Sequence, residues 1–562
     1  MVDIQRTPTA SPDFDQAVPR DDGKVFLVGA GIASMAAAAF LIRDGDKRGS
    51  EITILEESAA VGGALDGAGD PETGYVLRGG RMLESKYLCT FDLFASVPTL
   101  DDRTTVTQEI FDWNKTMKTS SKSRLFEHGH RITAPEFGLR EKDILTIERL
   151  AVEPEQMIGR TSIADHFDPE FFRSGFWLMW CTTFAFQPWH SAIEFKRYLV
   201  RFSHMVSGFN RLEGIMRTVY NQYDSMVRPL RKWLLERGVV FQFNTKVTDL
   251  RFDEDGDERT VIGIEYERDG IAGHMSIASE DYVFVTLGSM TEGSSLGSTH
   301  TAPQLLGKRA GGAWTLWETI AEGRPSFGNP SVFDGHVDQS KWLSFTVTQS
   351  DPELLNLVRD ATGNVPGEGG LITFPNSSWL ASIVIPHQPH FIGQPDNISV
   401  FWGYGLAIDK PGDFVKKPMS ACTGQEILTE ILGHLHLRAQ TEIIDHERLS
   451  NQTGHIIRNS IVIPCLMPFI TSQFLPRQHG DRPDVVPVGA LNFAFIGQYC
   501  EMPDDTVFTV EYSIRSAQTA VYTLLGVRRD PPPVYKGEFD ARVLLKAFEA
   551  LHDMDRATLT PA

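Results

Sequence analysis

Gly29, Gly31 and Ser34, in the run Val28-Gly-Ala-Gly-Ile-Ala-Ser34, have the spacing of a turn that cradles a dinucleotide. The first glycine permits the tight turn and the second lets backbone N–H groups approach a pyrophosphate, whose charge a helix N-terminus favours. Ser34 stands where a third glycine is usual. Downstream, Glu56 closes the β-rich run Ile52-Thr-Ile-Leu55, placed to offer a carboxylate to ribose hydroxyls. The pair Gly62-Gly63 and the loop Arg78-Gly79-Gly80-Arg81 follow, with glycines for close backbone approach and arginines to balance phosphates. Together these features predict FAD as the cofactor.

The elements that must position these groups are scattered along the chain. An apolar run, Lys24 to Val28, enters the turn and an alanine-rich helix leaves it. Gly238 to Val247 reads as another strand, with the alternating Thr260 to Glu267 after it. Tyr282 to Gly288 and Leu491 to Gly497 are apolar runs ending in glycine, and a helical stretch follows Thr509. Val247, Gly288 and Gly497 are therefore expected to close around the cofactor. The fold expected is α/β: a Rossmann-like FAD-binding domain built from discontinuous segments (23–99, 214–288 and 485–530), an inserted α+β substrate domain (100–213 and 289–484) and a helical C-terminal lid segment (531–562). Residues 1–22 read as a disordered, proline-bearing tail.

Composition narrows the function. The 562 residues carry 53 Lys and Arg against 73 Asp and Glu, a net charge of -20, which repels a phosphate backbone and excludes nucleic acid as a partner. Five cysteines lie far apart without a CxxC pair, so neither zinc nor a disulfide framework is expected and a reducing cytoplasm fits. His434-Leu-His436 and His128-Gly-His130 lack further ligands, so no metal is expected. The Gly293-Ser-Ser-Leu-Gly297 match to a hydrolase elbow is followed by no helix. The apolar stretch Phe176 to Phe186 is too short to cross a bilayer.

In order along the chain, VGAGIAS, RGGRMLES, YNQYDS, HQPHF, FWGYGL, VKKPM, GDRPDVVP and NFAFIGQY resemble the motifs of the oleate hydratase family, also called myosin-cross-reactive antigens. The resemblance runs from about Lys24 to Asp530. It implies FAD and redox-neutral addition of water across the cis-9 double bond of free unsaturated fatty acids, oleate giving 10-hydroxystearate. It assigns the flavin turn to Gly29, Gly31 and Ser34, the ribose acid to Glu56, and the loop beside the isoalloxazine to Gly79, Gly80 and Arg81. The family's water-activating glutamate falls on Met82. Glu84, the second glutamate of that motif, is expected on the opposite side of the extended loop. The proton-donating tyrosine falls on Tyr198, with Tyr220 and Tyr223 as rivals. Carboxylate binding falls on Gln222 and His390, while two other family ligands of the head group are replaced by Val384 and Pro386.

Two other classes share the nucleotide motifs: a flavin oxidoreductase acting on a lipid-like substrate, and a non-catalytic flavin and fatty-acid binder. Hydrating an isolated alkene needs a long, apolar, nearly dry site with a proton donor and a water held on either side. Phe176, Trp177, Trp180, Phe184, Phe186 and Trp189 are candidates for its lining. Phe539 to Leu551 has the spacing of an amphipathic helix, docked on the body or in transient contact with a membrane. A monomer or homodimer is expected.

Overall fold

The computed structural model describes residues 23–133, 135–441 and 446–552. The tail expected over 1–22 and the last part of the C-terminal segment, 553–562, lie outside the described residues.

A five-stranded parallel sheet forms the nucleotide half, in the order Phe493–Ile496, Tyr282–Thr286, Val25–Val28, Ile52–Leu55 and Val240–Gln242. The first strand sits at the centre, Val25 lying opposite both Ile52 and Tyr282. Its four residues are all buried, which explains why it reads as an unbroken apolar run instead of an alternating one. The helix Ile32–Arg43 is buried over most of its circumference and packs on the helix Val510–Leu524. The Thr509 side chain starts the latter by accepting the Tyr512 N–H at 3.2 Å. This is a Rossmann-like arrangement.

The expected single strand from Gly238 to Val247 is two. Val240–Gln242 joins the parallel sheet, and the chain then turns at Asn244, whose φ is 52°. Asparagine tolerates this left-handed conformation, so the turn needs no glycine. Thr245–Asp255 begins a separate antiparallel meander with Glu258–Arg268 and Ile271–Ser276.

An eight-stranded sheet occupies the other half, taking its strands from 125–132 and 295–467. Its long central strand, Trp342–Gln349, pairs antiparallel with Ser399–Gly405 and Ser460–Met467. Alternation decides what each face does. Leu343, Phe345 and Val347 enter a second core with Ile427, Leu428 and Ile431 of the helix Gly424–Thr441. Ser344, Thr346 and Thr348 face the nucleotide half. There Thr348 accepts the Tyr75 N–H at 2.8 Å, Thr346 accepts the Leu77 N–H at 3.0 Å, and Ser344 donates to the Arg78 carbonyl at 3.3 Å. Three hydroxyls on one strand face thus hold the backbone that leads into Arg78-Gly79-Gly80-Arg81.

Helices from the middle of the chain pack on one another and beside the larger sheet. The apolar stretch forms the helix Gly175–Phe184, started by the Ser174 side chain accepting from Trp177 N–H. The expected tyrosine-bearing helix is Ala192–Arg201. The terminal helix Ala541–Leu551 packs on the segment Ser203–Arg211 and leaves Leu544, Leu545 and Phe548 exposed. Among the described residues no helix is long and apolar enough to cross a membrane.

Candidate active site

A cavity of about 630 Å³ runs between the two halves. Gly29, Gly31, Glu56, Gly63, Gly80, Arg81, Met82, Glu84, Tyr198, Gln222, Val247, Gly288 and Gly497 all border it. A second cavity, of about 50 Å³, is bordered by Gly79, Gln222, His390, Val384 and Pro386. The two share Ala64, Leu65, Asp66, Gly80, Arg81 and Gln222 in their walls.

At the nucleotide end, Gly29 has φ +90°, which only glycine adopts without strain, and a Cβ on Gly31 would meet nothing within 4 Å. Gly31 also begins the helix Ile32–Arg43, whose first N–H groups receive no side-chain cap. An uncapped helix N-terminus opening on a void fits a pyrophosphate. Glu56 spans the turn, accepting the Ala30 N–H at 2.6 Å on one oxygen and the Ser58 N–H at 2.9 Å on the other. Ser34 corrects the expectation of direct contact. It is fully buried, 3.1 Å from the Thr286 hydroxyl and 3.4 Å from the Val28 carbonyl, and borders neither cavity. Its position is the one where a third glycine lets helix and strand approach, so it acts behind the turn.

Arg81 folds back over Gly79, gives a hydrogen bond to the Ala64 carbonyl at 3.1 Å, and stacks 5.5 Å from the centre of the Phe508 ring. Burial pulls its pKa down to about 10, against the opposing pull of Asp66. Asp66 itself is paired with Arg78 at 2.9 Å. Gly80 lies against the Trp402 ring, where a Cβ would come within 3.0 Å.

Met82 is half-buried and borders the large cavity, and so does Glu84. The expectation that Glu84 faces away is corrected here. Leu83–Glu84 is a short strand paired with Ile215–Met216, and extended backbone returns a side chain to the same face every second residue. The carboxylate of Glu84 is not free, however. It lies 2.8 Å from the Arg201 guanidinium and 3.4 Å from the His204 imidazole, and accepts the Lys86 N–H at 2.6 Å.

Tyr198 is 1% exposed, ringed by Phe184, Phe186 and Phe202 at 4.9 to 5.3 Å between centroids, and its hydroxyl donates to the Val507 carbonyl at 2.6 Å. Burial, with Tyr87, Glu194 and Asp505 nearby, raises its pKa well above the ordinary phenol value. Its helix is anchored by buried charge on several sides: Glu194 to Arg477 and Arg482 at 2.7 and 2.9 Å, Arg197 to Glu501 at 2.9 Å, and Arg201 to Glu84. Tyr220 and Tyr223 border the smaller cavity instead.

The two segments assigned to the head group meet. The Asn221 backbone N–H donates to the His390 carbonyl at 2.9 Å, and the Asn221 side chain donates to it at 3.0 Å. Both amide atoms of Gln222 are enclosed without a hydrogen-bond partner. Burial pushes the His390 imidazole down to about 3, with Arg217 and His387 adding to the shift. Arg217, which sequence reasoning passed over although it lies in the same Arg-Thr-Val-Tyr-Asn-Gln-Tyr run, borders this cavity too.

Of the aromatic residues expected to line the site, only Phe184 borders the large cavity. Phe176, Trp177, Trp180 and Phe186 pack in the core, and Trp189 is exposed with its indole N–H on the Gln339 carbonyl. The stretch is hydrophobic all round, so periodicity could not select a lining face.

The MCRA family model matches residues 22–522. The chain is 38% identical over 545 residues to an oleate hydratase of Streptococcus pyogenes serotype M49 (strain NZ131), covering 95% of this chain and 90% of that protein. It is 33% identical over 572 residues to a linoleate hydratase of Lactiplantibacillus plantarum, covering 94% and 98%. Among solved structures, cyclohexylamine oxidase from Brevibacterium oxydans IH-35A and a putrescine oxidase bound to putrescine each give a TM-score of 0.51 at 12% and 13% identity, over 90% of this chain and 99% of theirs. That likeness concerns the fold alone. With the family match and both relatives running over nearly the whole length, this chain belongs to the MCRA family.

Proposed function

We propose that the protein hydrates the cis-9 double bond of free unsaturated fatty acids, oleate giving 10-hydroxystearate, with FAD held by Gly29, Gly31, Glu56, Gly63 and the Gly79–Arg81 loop. The observation that carries this reading is one cavity leading from the glycine turn to a buried tyrosine, with a small pocket bordered by Gln222 and His390 across a shared wall. When bound, FAD supplies shape and electrostatic stabilisation and no electrons, since water addition is redox-neutral.

The chain's own residues supply the rest. Tyr198, kept protonated by burial, turns its hydroxyl from the Val507 carbonyl and gives its proton to one alkene carbon as the π bond breaks. A water oxygen bonds to the other carbon, and the proton it loses restores the tyrosine. Phe184 and Phe202 keep this end of the cavity dry. Met82 cannot take a proton from water, so the water is oriented by backbone carbonyls of the Gly79–Arg81 loop and by Glu84. Attack on a developing cation asks little of the nucleophile, and general-base help is typically worth only about 10² to 10⁴ in rate. The carboxylate end lies by Gln222 and His390. The reading includes a cytoplasmic monomer or homodimer in transient contact with a membrane, for which Leu544, Leu545 and Phe548 give an apolar face.

Incubation with oleic acid in heavy water, and separately in oxygen-18 water, tests the reaction. Hydration places one solvent deuterium on carbon and one water oxygen in the product, with no electron acceptor consumed. Acceptor turnover would instead make the protein an oxidoreductase, and recovered oleate a binder.

A further inference from the structure

Two guanidinium groups, of Arg81 and Arg217, and one carboxylate, of Asp66, stand in the wall of the smaller cavity. Among the described residues no carboxylate lies within ion-pair distance of the Arg217 guanidinium. Its Nε atom is enclosed without a hydrogen-bond partner. The residue is nonetheless held firmly at its base, because Asn114 clamps its backbone from both sides: the Arg217 N–H donates to the Asn114 side chain at 3.0 Å, and that side chain donates to the Arg217 carbonyl at 2.7 Å.

Arg217 is half-buried with its Nε enclosed, and an unpaired charge withdrawn from water is costly unless a ligand completes it. The remaining walls supply no counter-charge. Asp66 is paired with Arg78 and also acts on Arg81, whose guanidinium is held by the Ala64 carbonyl; Gln222 offers a neutral amide, and Val384 and Pro386 are apolar. The space is about 50 Å³, against the roughly 10 to 15 Å³ that a cavity needs to hold one water, which gives room for a carboxylate and not for a chain. An alkyl chain attached to that carboxylate has its route through the wall shared with the large cavity, past Ala64, Leu65 and Gln222.

Resting on the fatty-acid reading above, we propose that Arg217 is the charge anchor for the substrate carboxylate and the residue that selects free acids over esters and alcohols. Gln222 and His390 contribute hydrogen bonds beside it, and the guanidinium takes over the part left open by Val384 and Pro386.

The test uses flavin-loaded protein and palmitic acid, which has no double bond and so reports binding apart from chemistry, with 1-hexadecanol as the uncharged control. The parent is expected to prefer the acid by about 10- to 100-fold, as for a hydrogen-bonded charge. Arg217→Met abolishes that preference with hexadecanol affinity unchanged, and Arg217→Lys restores part of it. Ligand-free Arg217→Met melts no lower than the parent, since it removes an unpaired charge; a clear loss of stability would mark a structural role and overturn the proposal. Unchanged palmitate affinity in Arg217→Met, or a parent that hydrates oleate while binding acid and alcohol alike, also overturns it and leaves the hydratase reading standing. A parent that neither binds fatty acid nor hydrates oleate defeats both.

Discussion

Glu84, on the extended segment after the Gly-Gly-Arg loop, and Arg201, one turn beyond Tyr198 on its helix, form a buried ion pair at 2.8 Å with side chains 2% and 1% exposed. This pair ties the loop that borders the cavity to the helix that carries the tyrosine. Glu84 is therefore both a wall of the site and a strut. Among the described residues, replacing it by glutamine leaves the Arg201 cation with only Asp505 at ion-pair distance, 3.7 Å. Unfolding by denaturant should show Glu84→Gln destabilised by about 3 kcal/mol, in the range for breaking a buried pair. If stability is kept while turnover falls, Glu84 acts on water and not as a strut.

If Tyr198 is the proton donor, Tyr198→Phe should lower turnover of oleate by about 10² or more while flavin absorbance and palmitate affinity hold, since that proton is needed only in the transition state. Its ring contacts survive the change. Tyr220→Phe and Tyr223→Phe, at the smaller cavity, should stay within a few-fold of the parent. Parent-like turnover by Tyr198→Phe removes it from the mechanism.

Gly31→Val separates cofactor binding from folding. The backbone φ there is -74°, and an added side chain meets open cavity, so the ligand-free protein should melt within about 1 °C of the parent. Flavin content after reconstitution should fall to near zero. A yellow, stoichiometric Gly31→Val protein would place the dinucleotide elsewhere.

Met82→Ala should still hydrate oleate, because a thioether contributes no base to lose. Met82→Glu adds a carboxylate to the wall that already holds Glu84, and like charges at close quarters keep one of them protonated. Its kcat should change by less than about 10². A larger rise with the same product shows that the parent site lacks its base.

His190 is fully buried, its ring accepting the Gln187 N–H at 3.0 Å, and burial pushes its pKa down to about 3. Above pH 6.5 the imidazole is neutral in folded and unfolded chains alike. Between pH 6.5 and 3 only the unfolded chain takes up the proton, so this group's contribution to stability is present above 6.5 and is lost as pH falls toward 3. The slope from one such group is about 1.4 kcal/mol per pH unit. Denaturant midpoints measured from pH 6.5 to 4.5 should fall less steeply in His190→Asn, by that amount; an unchanged slope would exclude His190 as the source.

Short-range signals in the amino-acid sequence determine the nucleotide half. The glycine turn, the acid after Leu55, the apolar runs ending at Gly288 and Gly497 and the tyrosine-bearing helix each rest on a handful of adjacent residues, where backbone sterics and side-chain period act directly. Tertiary structure alone decided which distant groups face each other. Arg217 and His390 share one pocket because Asn221 and its side chain bind the His390 carbonyl. Glu84 finds Arg201 because a two-residue strand pairs with Ile215–Met216. Ser34 turns to Thr286, and most of the aromatic stretch goes to the core, because packing of sheets and helices determines which face of an element meets the cavity. Such register and facing depend on contacts between segments far apart in the chain, and no local spacing encodes them.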